Sequence, residues 1–214
     1  MGVMLHYQGK LHKPEDVHNL VSEIVDIAKS KNWKYDILDD PWDTPVDVRL
    51  EHTETGPRFR GNSGLKGIIL EVHPECEGVW LLFDKDGVLR MLINMIDPPE
   101  TRDAFGFTKT QFAGVDVHIE VAHFLEYIGN TYMREWKLED ESGYVEHRDR
   151  EKAQQHFHLI SDMMNALTDA LDTIEIPDTL KHEDEQEFMT KVEERIRTFL
   201  PGAEIRAVRL DEEE

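Results

Sequence analysis

Val79-Trp80-Leu81-Leu82-Phe83, then Asp84-Lys85-Asp86-Gly87, then Val88-Leu89-Arg90-Met91-Leu92-Ile93 is the stretch that decides the fold class. Two apolar runs flank a short polar segment ending in Asp-Gly, which accepts the positive φ that tight hairpin turns demand. Strands joined by so short a turn run antiparallel, because a parallel pair needs a crossover of a dozen residues or more.

The residues before this hairpin read as further sheet. Gly67–His73 is an apolar run of strand length, and Val46–His52 alternates apolar and polar with period two. Trp33–Leu38 is a third strand, closed by Asp39-Asp40-Pro41-Trp42, and His6–Leu11 a fourth. Between the last two lies a helix. Pro14 suits a first turn, with Glu15 and Asp16 where the helix dipole favours anions. Val17, Leu20, Val21, Ile24, Val25 and Ala28 form one stripe, and Asn32 is the expected C-terminal cap.

After the hairpin the period changes to that of helices. Asp116–Trp136 carries Val117, Val121, Phe124, Leu125, Ile128, Tyr132 and Trp136 on one side. Arg148–Ile174 holds three heptads, from Ala153 and Phe157 to Leu171 and Ile174, with Leu159, Met163 and Ala166 as a second apolar row. So wide an apolar surface needs a partner, so 148–174 is expected to support a homo-oligomer or a hairpin with a helix at Asp184–Leu200. Pro177 separates those two helices, Ala203–Leu210 could close as a strand, and 211–214 is an acidic tail. The pattern is α+β: an antiparallel meander sheet with an N-terminal helix and a helical C-terminal half. It is read as a single domain over 1–214, with helix plus sheet in 1–110 and helices packing on it from 115–200.

Of 214 residues, 24 are Lys or Arg and 45 Asp or Glu, a formal charge of −21. The excess is uneven, at −7 over residues 1–107 and −14 over 108–214. Such a surface repels phosphate backbones and anionic lipid, so nucleic acid and membrane are excluded as partners on this reading. The single Cys76 can form neither an intramolecular disulfide nor a multi-cysteine zinc site. No apolar run is long enough to cross a bilayer, so a cytoplasmic protein is expected.

Four groups of residues are candidates for chemistry. The glycine-rich stretch 56–67 sets Arg58, Arg60, Asn62, Ser63 and Lys66 among glycines, the composition of an anion cradle, although it lacks the order of a phosphate-binding P-loop. Its plainer reading is a long polar connection. Glu71 and His73, beside Cys76, are possible metal ligands at a strand end, where such residues also sit simply because they face water. Acidic neighbours should raise the thiol pKa and weaken it as a nucleophile. Glu120 and His123, spaced i, i+3, form half of a carboxylate–histidine metal motif whose second helix is missing. Trp42, in an acidic loop, either folds onto the core edge or serves as a contact residue.

No complete catalytic constellation emerges, and no cofactor is expected. The sequence therefore points to a non-catalytic protein-interaction or regulatory module with a protein partner, and charge would draw a basic partner to the acidic second half. The alternative is a small-molecule or anion-binding protein, or an enzyme, using loop 56–67 with nearby His and Glu residues. Convergence of His52, His73, His118 and His123 with Arg58 or Arg60 would favour that alternative.

Overall fold

The structure, a computed structural model, describes residues 2–53 and 56–172. The chain divides into two compact units, Met1–Phe157 and His158–Glu214. In the first, every strand pair is antiparallel and helices are added to the sheets, an α+β architecture.

β1 (Met4–Leu11) is the central strand of one sheet, between β7 (Gly106–Lys109) and β8 (Met133–Asp140). A second sheet has the order β2 (Lys34–Asp39), β5 (Lys66–Glu71), β6 (Val79–Phe83). The Asp-Gly turn stitches the two together. Gly87 takes φ +75°, Gly87 N–H donates to Asp84 O at 2.9 Å, and the Asp84 carboxylate accepts from the N–H of Asp86 and Val88. Val88 and Leu89 then bridge Lys10 of β1 and Phe83 of β6. The run expected to extend to Ile93 leaves the sheet there, and Leu92–Ile96 is a 3-10 turn. The proposed strand at 46 likewise begins only at Arg49, as β3 (Arg49–Thr53) paired with β4 (Gly56–Arg60) in a separate two-stranded ribbon.

α1 (Val17–Lys31) buries Val17, Leu20, Ile24 and Ala28 and ends at Asn32, whose φ of 56° is the left-handed cap read from the sequence. α2 (Val115–Tyr132) buries Val121, Ala122, Phe124, Leu125 and Ile128. Both helices share one core with Leu5, Tyr7 and Leu11 of β1, Ile68 and Leu70 of β5, and Val79, Leu81 and Phe83 of β6. Leu82 points to the opposite face, into a smaller cluster with Val48, Leu65 and Met95. The period-two alternation of β6 thus feeds two cores.

The helix expected over Asp116–Trp136 stops at Tyr132, and Trp136 lies on strand β8. Two features end it. Glu135 takes φ +58° at a bulge, where the register with β1 shifts between Gln8 and Lys10. The Trp136 ring then lies so close over Gly129 that a Cβ there would sit 2.1 Å from it. Helix periodicity and strand pairing overlap in these residues, and the free acceptor edge of β1 decides for the strand.

After β8 come a short α3 (Tyr144–His147) and α4 (Arg150–Asp172). Ala153 and Phe157 of α4 are buried within the first unit. In the second unit, residues 158–172 continue as helix, with Leu159 56% exposed. The helix at 184–200, the strand at 203–210 and the tail 211–214 lie outside the described residues. No helix among the described residues is long and apolar enough to cross a membrane.

Candidate functional site

The stretch 56–67 is a strand, a bonded corner and a second strand. Arg58 and Arg60 lie on β4, with Arg60 opposite Arg49 and Arg58 opposite Glu51. Glu51 accepts from Arg49 Nε at 3.0 Å and lies 3.7 Å from Arg60 Nε. At the corner the backbone amides do hold anions, but these are the protein's own carboxylates. Asn62 N–H donates to Asp47 Oδ1 at 2.6 Å, and Ser63 gives both its N–H and its hydroxyl to Asp40 Oδ2, at 2.8 and 2.6 Å. The Asn62 side-chain amide reaches the carbonyls of Pro41, Thr44 and Pro45, pinning the preceding loop. Lys66 bonds Asp39 and places its ammonium 5.5 Å from the centre of the Trp42 ring.

Beneath Trp42 lies a cavity of about 210 Å³, bounded by Val46, Gly64, Met95, Lys85, Arg90 and Arg102 among others. Arg90 Nε donates to Asp84 at 3.0 Å, and its Nη1 donates to Arg102 O. Arg102 holds the carbonyls of Asp97 and Met95 through Nε and Nη2. Trp42 Nε1 and Asn94 Nδ2 are buried donors with no partner among the described residues. Another cleft, about 330 Å³, opens beside His6, Phe105, Lys137 and Glu139, but His6 pairs with Glu141 and Lys137 with Glu139.

Sequence reasoning missed a third cluster. His118, on α2, is fully buried. Its Nε2 lies 2.9 Å from both Asp140 Oδ1 and Ser142 Oγ, and its Nδ1 lies 2.7 Å from Thr110 Oγ1. Asp140 also accepts from the N–H of Ser142 at 2.7 Å and of Val145 at 2.9 Å. The carboxylate accepts only, so Nε2 carries a proton. Burial pushes the Asp140 carboxyl up, but the His118 hydrogen bond and charge, with the Val145 and Ser142 N–H groups, outweigh it and hold the pKa down at about 2. Ser, His and Asp meet here without forming a nucleophilic relay. A relay sets serine and carboxylate on opposite ring nitrogens, whereas both sit at Nε2 and Ser142 Oγ bonds Asp140 Oδ2 at 2.9 Å. The cluster is a polar lock between α2, the end of β8 and Thr110. One signal was available: His118 sits three residues after Val115 and three before Val121, on the apolar stripe.

The remaining candidates are separated. Glu71 pairs with Lys34, and His73 Nδ1 accepts from Glu75 N–H at 3.2 Å. Glu120 pairs with Lys31, while His123 meets Tyr144 Oη at 3.0 Å. Burial first, then Glu75 and Glu77, push the Cys76 thiol up to about 11, so it stays protonated at neutral pH. No group of three or more His, Cys, Asp or Glu among the described residues is placed to hold a metal ion. Of the four histidines considered together, His118 lies in the lock, His52 on β3, His73 after β5 and His123 against Tyr144. Neither protein-family models nor curated proteins nor solved structures give a match to this chain.

Proposed function

We propose that the chain is a non-catalytic protein-interaction module that takes an extended acidic segment of a partner protein onto the β3–β4 ribbon. The carrying observation is that these strands pair with one another and with no other strand among the described residues, while Arg49, Glu51's partner Arg60, and Arg58 are all exposed. A two-stranded ribbon is marginal in water, and among the described residues its outer edges pair with no third strand, the arrangement that accepts an added strand. Phe59 packs into the smaller core, and the Asn62 corner fixes the base, so the ribbon's edges are held in place. Residues 49–60 hold Arg49, Arg58 and Arg60 against Glu51 and Glu54, a net charge of +1 in an otherwise acidic chain, which favours carboxylates on the incoming strand.

Fluorescence anisotropy with two labelled ten-residue peptides, alternating Glu–Val and Lys–Val, tests this reading. The Glu–Val peptide is expected to bind. Substituting Arg49→Gln, Arg58→Gln and Arg60→Gln together reverses the ribbon's net charge and should weaken it about tenfold, a loss of about 1.4 kcal/mol. Preferential binding of the Lys–Val peptide would move recognition to the acidic second half, as charge alone suggests. Equal binding of both peptides would remove the reading.

A further inference from the structure

We infer that the outer edge of β2 is a self-association site, on which a second copy of this chain adds its own β2 antiparallel about a two-fold axis at Ile37. β2 ends its sheet, with β5 on one side and no strand on the other among the described residues. This edge is distinct from those of the β3–β4 ribbon, and so is its occupant.

The direction of the backbone groups follows from the ladder. Lys34–Asp39 pairs with Lys66–Glu71, and Asp40 N–H continues that register by donating to Leu65 O at 3.0 Å. Bonded positions alternate in an antiparallel pair, so Lys34, Asp36 and Leu38 turn their N–H and C=O groups toward β5, as Asp40 does. Tyr35, Ile37 and Asp39 turn theirs outward. Trp33, in the outward phase, accordingly gives its N–H to Ala28 O at 2.9 Å and not to β5. Trp33 closes one end of the outward row, and Pro41, which lacks an N–H, closes the other. The open stretch is therefore centred on Ile37.

A second copy matches this row to itself. In a two-fold antiparallel pair centred on Ile37, Ile37 meets Ile37 and Tyr35 meets Asp39, so every outward N–H and C=O of the row faces a partner. Moving the axis by one residue either way brings Trp33 or Pro41 into the bonded row. The side chains agree with the central register. Lys34 faces Asp40 of the second copy, twice by symmetry, and directly opposed unlike charges stabilise an antiparallel pair. On the other side of the joined sheet Ile37 meets its symmetry mate. It is 54% exposed and lines a groove of about 100 Å³ with Val17 and Val21 of α1, an apolar edge position that a free strand would leave open to wrong pairing. Of the remaining acids, Asp39 is held by Lys66 of its own chain, and Asp36 stands opposite Leu38.

Sedimentation equilibrium of the full chain, from micromolar to millimolar concentration at physiological salt, tests this. A monomer–dimer equilibrium is expected. Ile37→Lys, which sets two ammonium groups at the axis, and Lys34→Glu, which sets a carboxylate against Asp40, should each weaken it about tenfold. Lys34 is 78% exposed, so its replacement leaves the monomer folded. Amide exchange of the unaltered chain locates the interface without any substitution. Tyr35, Ile37 and Asp39 should slow as the dimer forms, while Asp36 and Leu38, already bonded to β5, stay unchanged. A chain that remains monomeric to millimolar concentration would overturn the inference. So would a dimer that tolerates both substitutions, or one whose protection falls on α4 instead of Tyr35, Ile37 and Asp39.

Discussion

The lock around His118 and the corner at Asn62 are built from the same kinds of bond in opposite surroundings. In the lock, His118 and Asp140 side chains are wholly removed from water, and each polar atom is spent on another member of the cluster. At the corner, Asn62 is half-buried and Asp47 exposed, so water can replace a lost partner. Buried, a missing partner leaves an uncompensated charge; at the surface it leaves a hydration site. The first cluster therefore governs whether the domain folds, and the second governs how firmly the ribbon is presented.

The largest effect should follow from breaking the lock. Asp140→Ala leaves His118 and the N–H groups of Ser142 and Val145 without their acceptor, and should cost about 3–5 kcal/mol in urea unfolding. A loss below 1 kcal/mol would mean that the lock is no different from the corner.

Acid should open the lock by the same route. With the Asp140 pKa at about 2 folded against 3.8 unfolded, the unfolded chain binds more protons between these values. The stabilisation is complete above about pH 5 and is lost as pH falls toward 2, amounting to about 2 kcal/mol. Stability measured between pH 2 and 5 should show this limb in the wild type and lack it in Asp140→Asn.

Asn62→Ala should come next, at about 2 kcal/mol, since three carbonyls lose a donor but stay within reach of water. Its amide exchange should rise over 41–47 and the ribbon rather than in α2. The smallest change is expected from Lys31→Ala, which removes a pair to Glu120 whose side chains are 48% and 40% exposed, worth under about 1 kcal/mol.

How much of this was legible in the sequence depends on the range of the interaction. The α1 stripe, its Asn32 cap and the Asp-Gly turn are local, and each has a local signature. The end of α2 was not, because residues 133–136 satisfy a helical period while the edge of β1, more than a hundred residues away, offers them hydrogen bonds. The lock was illegible as a set for the same reason: Thr110, His118 and Asp140 meet only after β8 returns beneath α2. Its one local trace was a histidine on an apolar stripe. The glycine-rich stretch misled in another way. Composition gave its anion-binding capacity, but the distant Asp40 and Asp47 use the corner amides, and only Gly64 of that corner borders the open cavity.

The central claim is that the ribbon receives a partner's strand while the helix-covered core supplies stability. Hydrogen exchange with and without the Glu–Val peptide tests it most directly. The account predicts slowed exchange at amides of Arg49–Thr53 or Gly56–Arg60, with α1 and α2 unchanged. Protection confined to residues outside the ribbon, with its amides exchanging at the same rate in both samples, would contradict it.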